Sequence, residues 1–246
     1  MNPLSIVLGA IGVVALLLAA RAQPATPEYT IVPVDPAALR LFWGDEAGKP
    51  FRSFRRLDDW LRKKGQRLAV AMNAGMYHAD LAPVGLLVLE GREQAPINRA
   101  RGQGNFFLEP NGVFYVDAQG GAHVVATDEF PDQAADVRLA TQSGPLLVRR
   151  GQVHPAFHPG SKSRHVRNGV GICAGKPVLV ISHRRVTLHE FATYFRDTLG
   201  CPDALYLDGA VSSLHSASLR RSDRHAVLGP ILAVVEPDPG QQHRGQ

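Results

Sequence analysis

Apolar positions recur along this chain with two different periods, and the periods divide it into elements. Ser53 precedes Phe54, Leu57, Trp60 and Leu61, which share one face of a 3.6-residue repeat that Gly65 terminates. The signature returns in sharper form further on. Thr187 and Glu190 have capping-box spacing, Leu188, Phe191, Phe195 and Leu199 form the apolar stripe, and Gly200 sits where a helix ends. Elsewhere the apolar residues come in short runs rich in Val, Ile, Leu and Phe, which predict strands. Such runs occupy residues 68–72, 85–89, 113–116, 123–126, 146–148, 169–173, 178–181, 204–207 and 231–235, with residues 117–121 as a hairpin loop. The pattern predicts an α+β fold: a strand-rich mixed sheet with a few helices packed on it.

Near the C-terminus, residues 178–181, the second helix and residues 204–207 predict a strand–helix–strand crossover. Its two strands are expected to run parallel, with a right-handed connection. Ser182-His183 and Asp208-Gly209 then project from one sheet edge, the carboxyl edge at which open α/β units bind ligands.

Residues 4–20 are an unbroken apolar stretch, followed by the small-x-small site Ala20-Arg21-Ala22 and a polar, Pro-rich segment. That order predicts a secretory signal peptide over residues 1–22. No Lys or Arg precedes Leu4, so an uncleaved membrane anchor through residues 4–20 and a misplaced start codon are the alternatives. No Cys follows the stretch, which speaks against a lipoprotein. Either export version predicts a periplasmic or secreted domain. Gly and Pro are scattered as turn punctuation, with no linker or repeat, so residues 28–236 read as one domain and residues 237–246 as a loose tail.

The net charge of +5 comes mostly from Arg, densest in residues 53–67 and 220–225. Apolar residues and Asp58, Asp59 and Asp223 interrupt both stretches, so they predict a solvated helix face and a charged loop rather than a nucleic-acid surface. Cys173 and Cys201 can form one disulfide in an oxidising compartment; two free buried thiols are the alternative. With no CxxC, no HExxH and no paired Cys/His spacing, neither a metal nor a cofactor is expected. The Gly-x-Ser-x-Gly elbow is absent, and Gly169-x-Gly171 lacks the third glycine of a dinucleotide fingerprint. His154-Pro155 and His158-Pro159 read as loops.

Four polar segments punctuate the strands: Asn73-Ala74-Gly75-Met76-Tyr77, Gln142-Ser143-Gly144-Pro145, Arg167-Asn168-Gly169-Val170-Gly171-Ile172 and Leu207-Asp208-Gly209-Ala210-Val211-Ser212-Ser213. Each alone is common turn chemistry. Together they set side-chain donors and acceptors beside strand ends, with glycine allowing close approach. In this order they resemble the phosphodiester glycosidase domain family. Asn73, Gly75 and the aromatic Tyr77 match its Asn-Gly-Gly-Phe-Phe motif, the Arg167 segment resembles its Arg-x-x-x-Gly-Ile motif, and Leu207-Asp208-Gly209 is the most specific part. The resemblance covers about residues 65–236. Ala74, Ala210 and Val211 depart from the family pattern, each standing where less backbone freedom remains.

The resemblance implies an exported hydrolase cleaving a sugar 1-phosphodiester between the anomeric carbon and the phosphate oxygen, with a sugar-phosphate or glycan as partner. Ordinary glycosidases flank their bond with two carboxyl groups. A phosphate leaves as a stable anion, so one carboxylate with cationic help could suffice. Asp208 is the expected essential carboxylate, with Asp80 and Glu109 as candidates for a second. Arg167 is expected to fork onto phosphate oxygens, unless it only forms an ion pair with Asp208. Asn73, as a catalytic group, and Ser143, Asn168, Ser212 and Ser213 are expected to hydrogen-bond sugar hydroxyls or phosphate, with Gly75, Gly144 and Gly209 admitting the substrate. A catalytically silent glycan-binding module in exopolysaccharide assembly and a phosphodiesterase that cuts phosphorus–oxygen are the alternatives.

Overall fold

The structure is a computed structural model that describes residues 28–130 and 136–242. The expected signal or anchor over residues 1–22 lies outside the described residues. Among the described residues no helix is long and apolar enough to cross a membrane.

Three sheets make the body. The first has the order β1 (Tyr29–Pro33), β12 (Lys176–Ser182), β11 (Asn168–Cys173), β13 (Asp203–Tyr206), β9 (Leu146–Arg149) and β10 (Gln152–Val153). The second runs β15 (Arg221–Ser222), β14 (Leu214–Ser216), β3 (Gln66–Asn73), β16 (Ile231–Pro237) and β2 (Leu39–Phe42). The third runs β5 (Arg92–Ala95), β4 (Leu87–Leu89), β8 (Val137–Ser143), β6 (Gly112–Asp117) and β7 (Ala122–Ala126). Each has one apolar face turned to a shared core, where Leu41 and Met72 meet Phe114 and Leu139 and also Val170, Ile181 and Leu205.

Both helices form where the pattern puts them, for visible reasons. Ser53 Oγ accepts from Arg56 N at the start of α1 (Phe54–Arg62), which buries Phe54, Leu57 and Leu61 against the second sheet. Thr187 and Glu190 close the capping box of α2 (Leu188–Thr193), which continues as a π-helical turn over Tyr194–Thr198. Phe191 and Phe195 of that unit are fully buried against the first sheet. They fit because Gly169 and Gly171 face them: a Cβ at Gly171 would lie 2.7 Å from the Phe195 ring. Cys173 and Cys201 are joined as a disulfide, tying the end of β11 to the segment after that helix.

The mixed sheet is corrected to an antiparallel one, since every pairing in the three sheets is antiparallel. The cause is the two-residue turn Ala174-Gly175, whose positive φ values of 48° and 76° fold β11 directly onto β12. Only the other edge of β11 is then left for β13. Accordingly β12 and β13 point the same way with β11 between them, and no parallel ladder forms. Of the expected tail, residues 243–246 lie outside the described residues. β16 runs through Pro237, Asp238 pairs with Arg62 at 3.0 Å, and α3 (Pro239–Gln242) follows.

Candidate active site

The ends of β3, β8, β13 and the start of β11 meet where the three sheets adjoin, and there the four polar segments come together. Asn73 closes β3. Its Nδ2 donates to the Asp208 carbonyl at 2.8 Å, and its Oδ1 accepts from Asn168 Nδ2 at 3.0 Å and from Ser213 N at 2.8 Å. Asn168 Oδ1 accepts in turn from Ser212 Oγ at 3.0 Å, and the Asp208 N–H donates to the Ala74 carbonyl at 3.2 Å. Gly75 N donates to Thr141 Oγ1 at 3.1 Å, and a Cβ there would run into the Gln142 carbonyl. Glycine is therefore what lets the first segment touch the second. Tyr206 N donates to the Pro145 carbonyl at 3.1 Å, which joins the second to the fourth.

Four of the expected substrate contacts lie within this network. Asn73, Asn168, Ser212 and Ser213 are all 3% exposed or less, with their polar groups committed to one another. Together they frame the Asp208 turn. Ser143 differs: it is fully buried, yet its hydroxyl has no hydrogen-bond partner. Gly144 is held tightly, since a Cβ there would lie 2.7 Å from the Phe106 carbonyl and from Asn111 Cβ.

Asp208 caps the turn Gly209–Val211, its Oδ1 accepting from Ala210 N at 3.2 Å. It is half-buried, and that burial pushes its carboxyl above the ordinary aspartate range, opposed only by the Ala210 bond. Of the departures from the family pattern, Ala210 is exposed and Val211 half-exposed, whereas Ala74 is fully buried. Gly209 is the position with no room, since a Cβ would run into the Tyr206 hydroxyl. Tyr77 flanks the carboxylate. Its hydroxyl donates to the Val227 carbonyl, and burial first, then the Asp208 charge, push its phenol up to about 12.

Arg167 lies behind Tyr206, at 2% exposure. Nε donates to the Val186 carbonyl at 2.8 Å, Nη1 to the Tyr206 hydroxyl at 3.0 Å and Nη2 to the Ser163 carbonyl at 3.0 Å. All three partners are uncharged. The alternative ion pair with Asp208 is not formed, and the guanidinium also lies over the Tyr206 ring. A guanidinium has five N–H groups, so two keep their capacity.

Tyr206 is the site residue that sequence reasoning missed. Strand alternation could have found it, because Ala204, Tyr206 and Asp208 share one face of β13 and its continuation. Asp80 instead caps its own turn through Ala82 N at 3.0 Å, and Glu109 borders a cavity of about 380 Å³ along Pro110 and Arg149 that holds none of the expected site residues. His154 is buried, which lowers its pKa, and it bridges Ala156 N and the Glu109 carbonyl. Among the described residues no group of three His, Cys, Asp or Glu is placed to hold a metal ion.

Comparison with known proteins agrees with this architecture. A profile described as phosphodiester glycosidase matches residues 66–227. A relative from Escherichia coli strain K12, named uncharacterized protein YigE, is 35% identical over 188 residues, 76% of this chain and 72% of that one. The zebrafish N-acetylglucosamine-1-phosphodiester alpha-N-acetylglucosaminidase catalytic domain, solved auto-inhibited by its pro-peptide, shares the fold. Its TM-score is 0.57 at 14% identity, over 86% of this chain and 85% of that one. A hypothetical protein from Synechocystis gives 0.51 at 18% identity, over 84% and 58%.

Proposed function

Because the chain belongs to the phosphodiester glycosidase family, we propose that it is an exported hydrolase that cleaves a sugar 1-phosphodiester in envelope or extracellular glycans. One observation carries the reading. A half-buried carboxylate with no cation and a buried guanidinium with no anion stand on either side of one tyrosine. Burial of unpaired charge is costly, so such an arrangement is sensible where a substrate completes it.

Hydrolysis adds water across the bond between the anomeric carbon and the phosphate oxygen. The water oxygen goes to carbon, and the bonding electrons leave with the phosphomonoester. Asp208 acts at the carbon, as general base toward water or as nucleophile, and its raised pKa strengthens it as a base. Arg167 neutralises charge on the phosphate as the bond breaks. The zebrafish relative's name specifies an N-acetylglucosamine 1-phosphodiester, which makes that sugar the first to try. The disulfide between Cys173 and Cys201 supports an oxidising compartment, as the apolar segment at residues 4–20 does.

The test is cleavage of a nucleotide or aryl N-acetylglucosamine phosphodiester in isotopically labelled water. The free sugar should carry the label on its anomeric oxygen, and the phosphomonoester none. Label on phosphate would make the protein a phosphodiesterase. Glycan binding without any cleavage would make it a silent binding module.

A further inference from the structure

The Gln142 side chain of β8 is 1% exposed, and its whole amide is committed. Oε1 accepts from Leu86 N at 3.0 Å and from Asn98 N at 2.8 Å. Nε2 donates to the Asn98 carbonyl at 2.7 Å and to Thr127 Oγ1 at 3.1 Å. Gly85 makes the room, since a Cβ there would run into Oε1. One buried amide thus fixes Asn98 and Thr127, which both line the cavity of about 380 Å³ beside Glu109. The cavity side of that wall is not satisfied. Asn111 is 7% exposed and gives its Nδ2 to the Phe106 carbonyl at 2.8 Å. Its Oδ1 has no donor among the described residues and is not sealed from open space. The carboxylates of Glu109 and Asp128 have no hydrogen bond or ion pair among the described residues. Arg149 keeps N–H groups beyond the one that Glu129 takes at 2.6 Å. Arg99 is the second guanidinium there, so two carboxylates stand against two cations and the lining has no net charge. A cavity of about 400 Å³, with Gln152, Val153 and Pro155 in its walls, adjoins the first at Pro110 and Arg149. Its further cation, Arg150, is held by Glu129. Both volumes exceed the roughly 300 Å³ at which small-molecule sites begin.

We propose that the two cavities form one groove that binds a stretch of neutral glycan chain, as an accessory site lined by none of Asn73, Arg167 or Asp208. A sugar hydroxyl both donates and accepts, so it matches a lining that offers bare acceptors and donors in balance. An anion would meet Glu109 and Asp128, and a cation would meet Arg149, each at a cost that a hydroxyl escapes. Pro110, Val153 and Pro155 supply apolar surface for the C–H faces of the rings. Two adjoining cavities suit a chain better than a single sugar. The wall held by Gln142 is set before any ligand arrives, which spares the ordering cost of binding. The groove does not depend on the proposed reaction.

Calorimetric titration of the intact protein with linear tetramers of glucose, N-acetylglucosamine, glucosamine and galacturonic acid tests this. Wild type should bind a neutral tetramer saturably, more tightly than the cationic glucosamine or anionic galacturonate chain and more tightly than the matching neutral dimer. Glu109, Asp128 and Gln152 are exposed, so replacing them spares the fold. Glu109→Gln and Asp128→Asn should each weaken the neutral tetramer about tenfold, the scale of a lost charged hydrogen bond. Gln152→Ala should bring the tetramer down toward the dimer and leave the dimer as it is. Asp208→Asn should keep every affinity. Binding of a neutral tetramer by a protein that cleaves no sugar phosphodiester would remove the proposed reaction and keep the groove. The groove is overturned if neither neutral tetramer binds saturably, if a charged chain binds more tightly, or if binding survives the Glu109 and Asp128 changes. Loss of tetramer binding in Asp208→Asn would also overturn it, by moving the chain to the carboxylate turn.

Discussion

Asn73 and Asp208 are joined by a single hydrogen bond of 2.8 Å, yet their side chains are treated in opposite ways. Around Asn73, the Asn168 amide, the Ser212 hydroxyl and the Ser213 N–H are buried within one network, and the Ser213 hydroxyl donates to the Val211 carbonyl. Around Asp208 and Arg167, charge is left over. The carboxylate accepts only from Ala210 N, and the guanidinium touches only uncharged groups. In a medium where unpaired polarity is expensive, a completed network is a frame and an incomplete one is a place for something else. The two clusters therefore divide the work, the first fixing the turn that presents the second.

Substitutions should separate the clusters by what they damage. Asn73→Ala exposes the largest cost, because it removes three buried hydrogen bonds and strands the Ser213 N–H, while Asn168 Nδ2 keeps the Asn73 carbonyl and the Asp208 carbonyl keeps Val211 N. At ~1 kcal/mol for each of the two bonds whose groups keep another partner and ~2 kcal/mol for the stranded N–H, stability should fall by about 4 kcal/mol in denaturant unfolding. A loss under about 1 kcal/mol would show that water replaces the side chain and that the frame is not one. Replacing Cys173 and Cys201 by Ser serves as a control remote from both clusters. With the two cysteines 28 positions apart, the chain-entropy model puts the loss at about 3.5 kcal/mol. Turnover per folded molecule should be unchanged, and a large drop there would mean that the disulfide shapes the site. Ser212→Ala removes one donor from the frame and should cost about 1 kcal/mol, with activity following the folded fraction. A turnover collapse without destabilisation would move Ser212 into the chemistry.

How much of this was legible depended on whether a residue's partner is local. Thr187 and Glu190, or Ser53, satisfy the backbone within their own turn, so sequence spacing reveals them. β8 was largely hidden because Arg138, Thr141 and Gln142 make it look polar. Arg138 reaches the Leu39 carbonyl at 2.8 Å, and Gln142 bonds Leu86, Asn98 and Thr127, partners distant in sequence. The antiparallel order was hidden for a related reason: Ala174-Gly175 decides which edge of β11 stays open, and apolar runs carry no such information. At the site, the convergence of the four segments could be read. The bond between Asn73 and Asn168 could not, because it joins residues 95 apart.

The central claim is that Asp208 is kept for chemistry at a cost to the fold, and its pH dependence fixes the sign of the test. Burial raises its folded pKa above the unfolded value, so the folded state holds the proton more tightly. Its favourable contribution is present below the unfolded pKa and is lost as pH rises through the folded one. Asp208→Asn cannot ionise and still accepts from Ala210 N. Turnover of a sugar phosphodiester and unfolding stability should be measured together on this variant, across the acid-to-neutral range. The account predicts turnover lower by ~100-fold or more, with stability at neutral pH equal to or above wild type. Activity within a few-fold of wild type, or a clear loss of neutral-pH stability, would contradict it and return Asp208 to the frame.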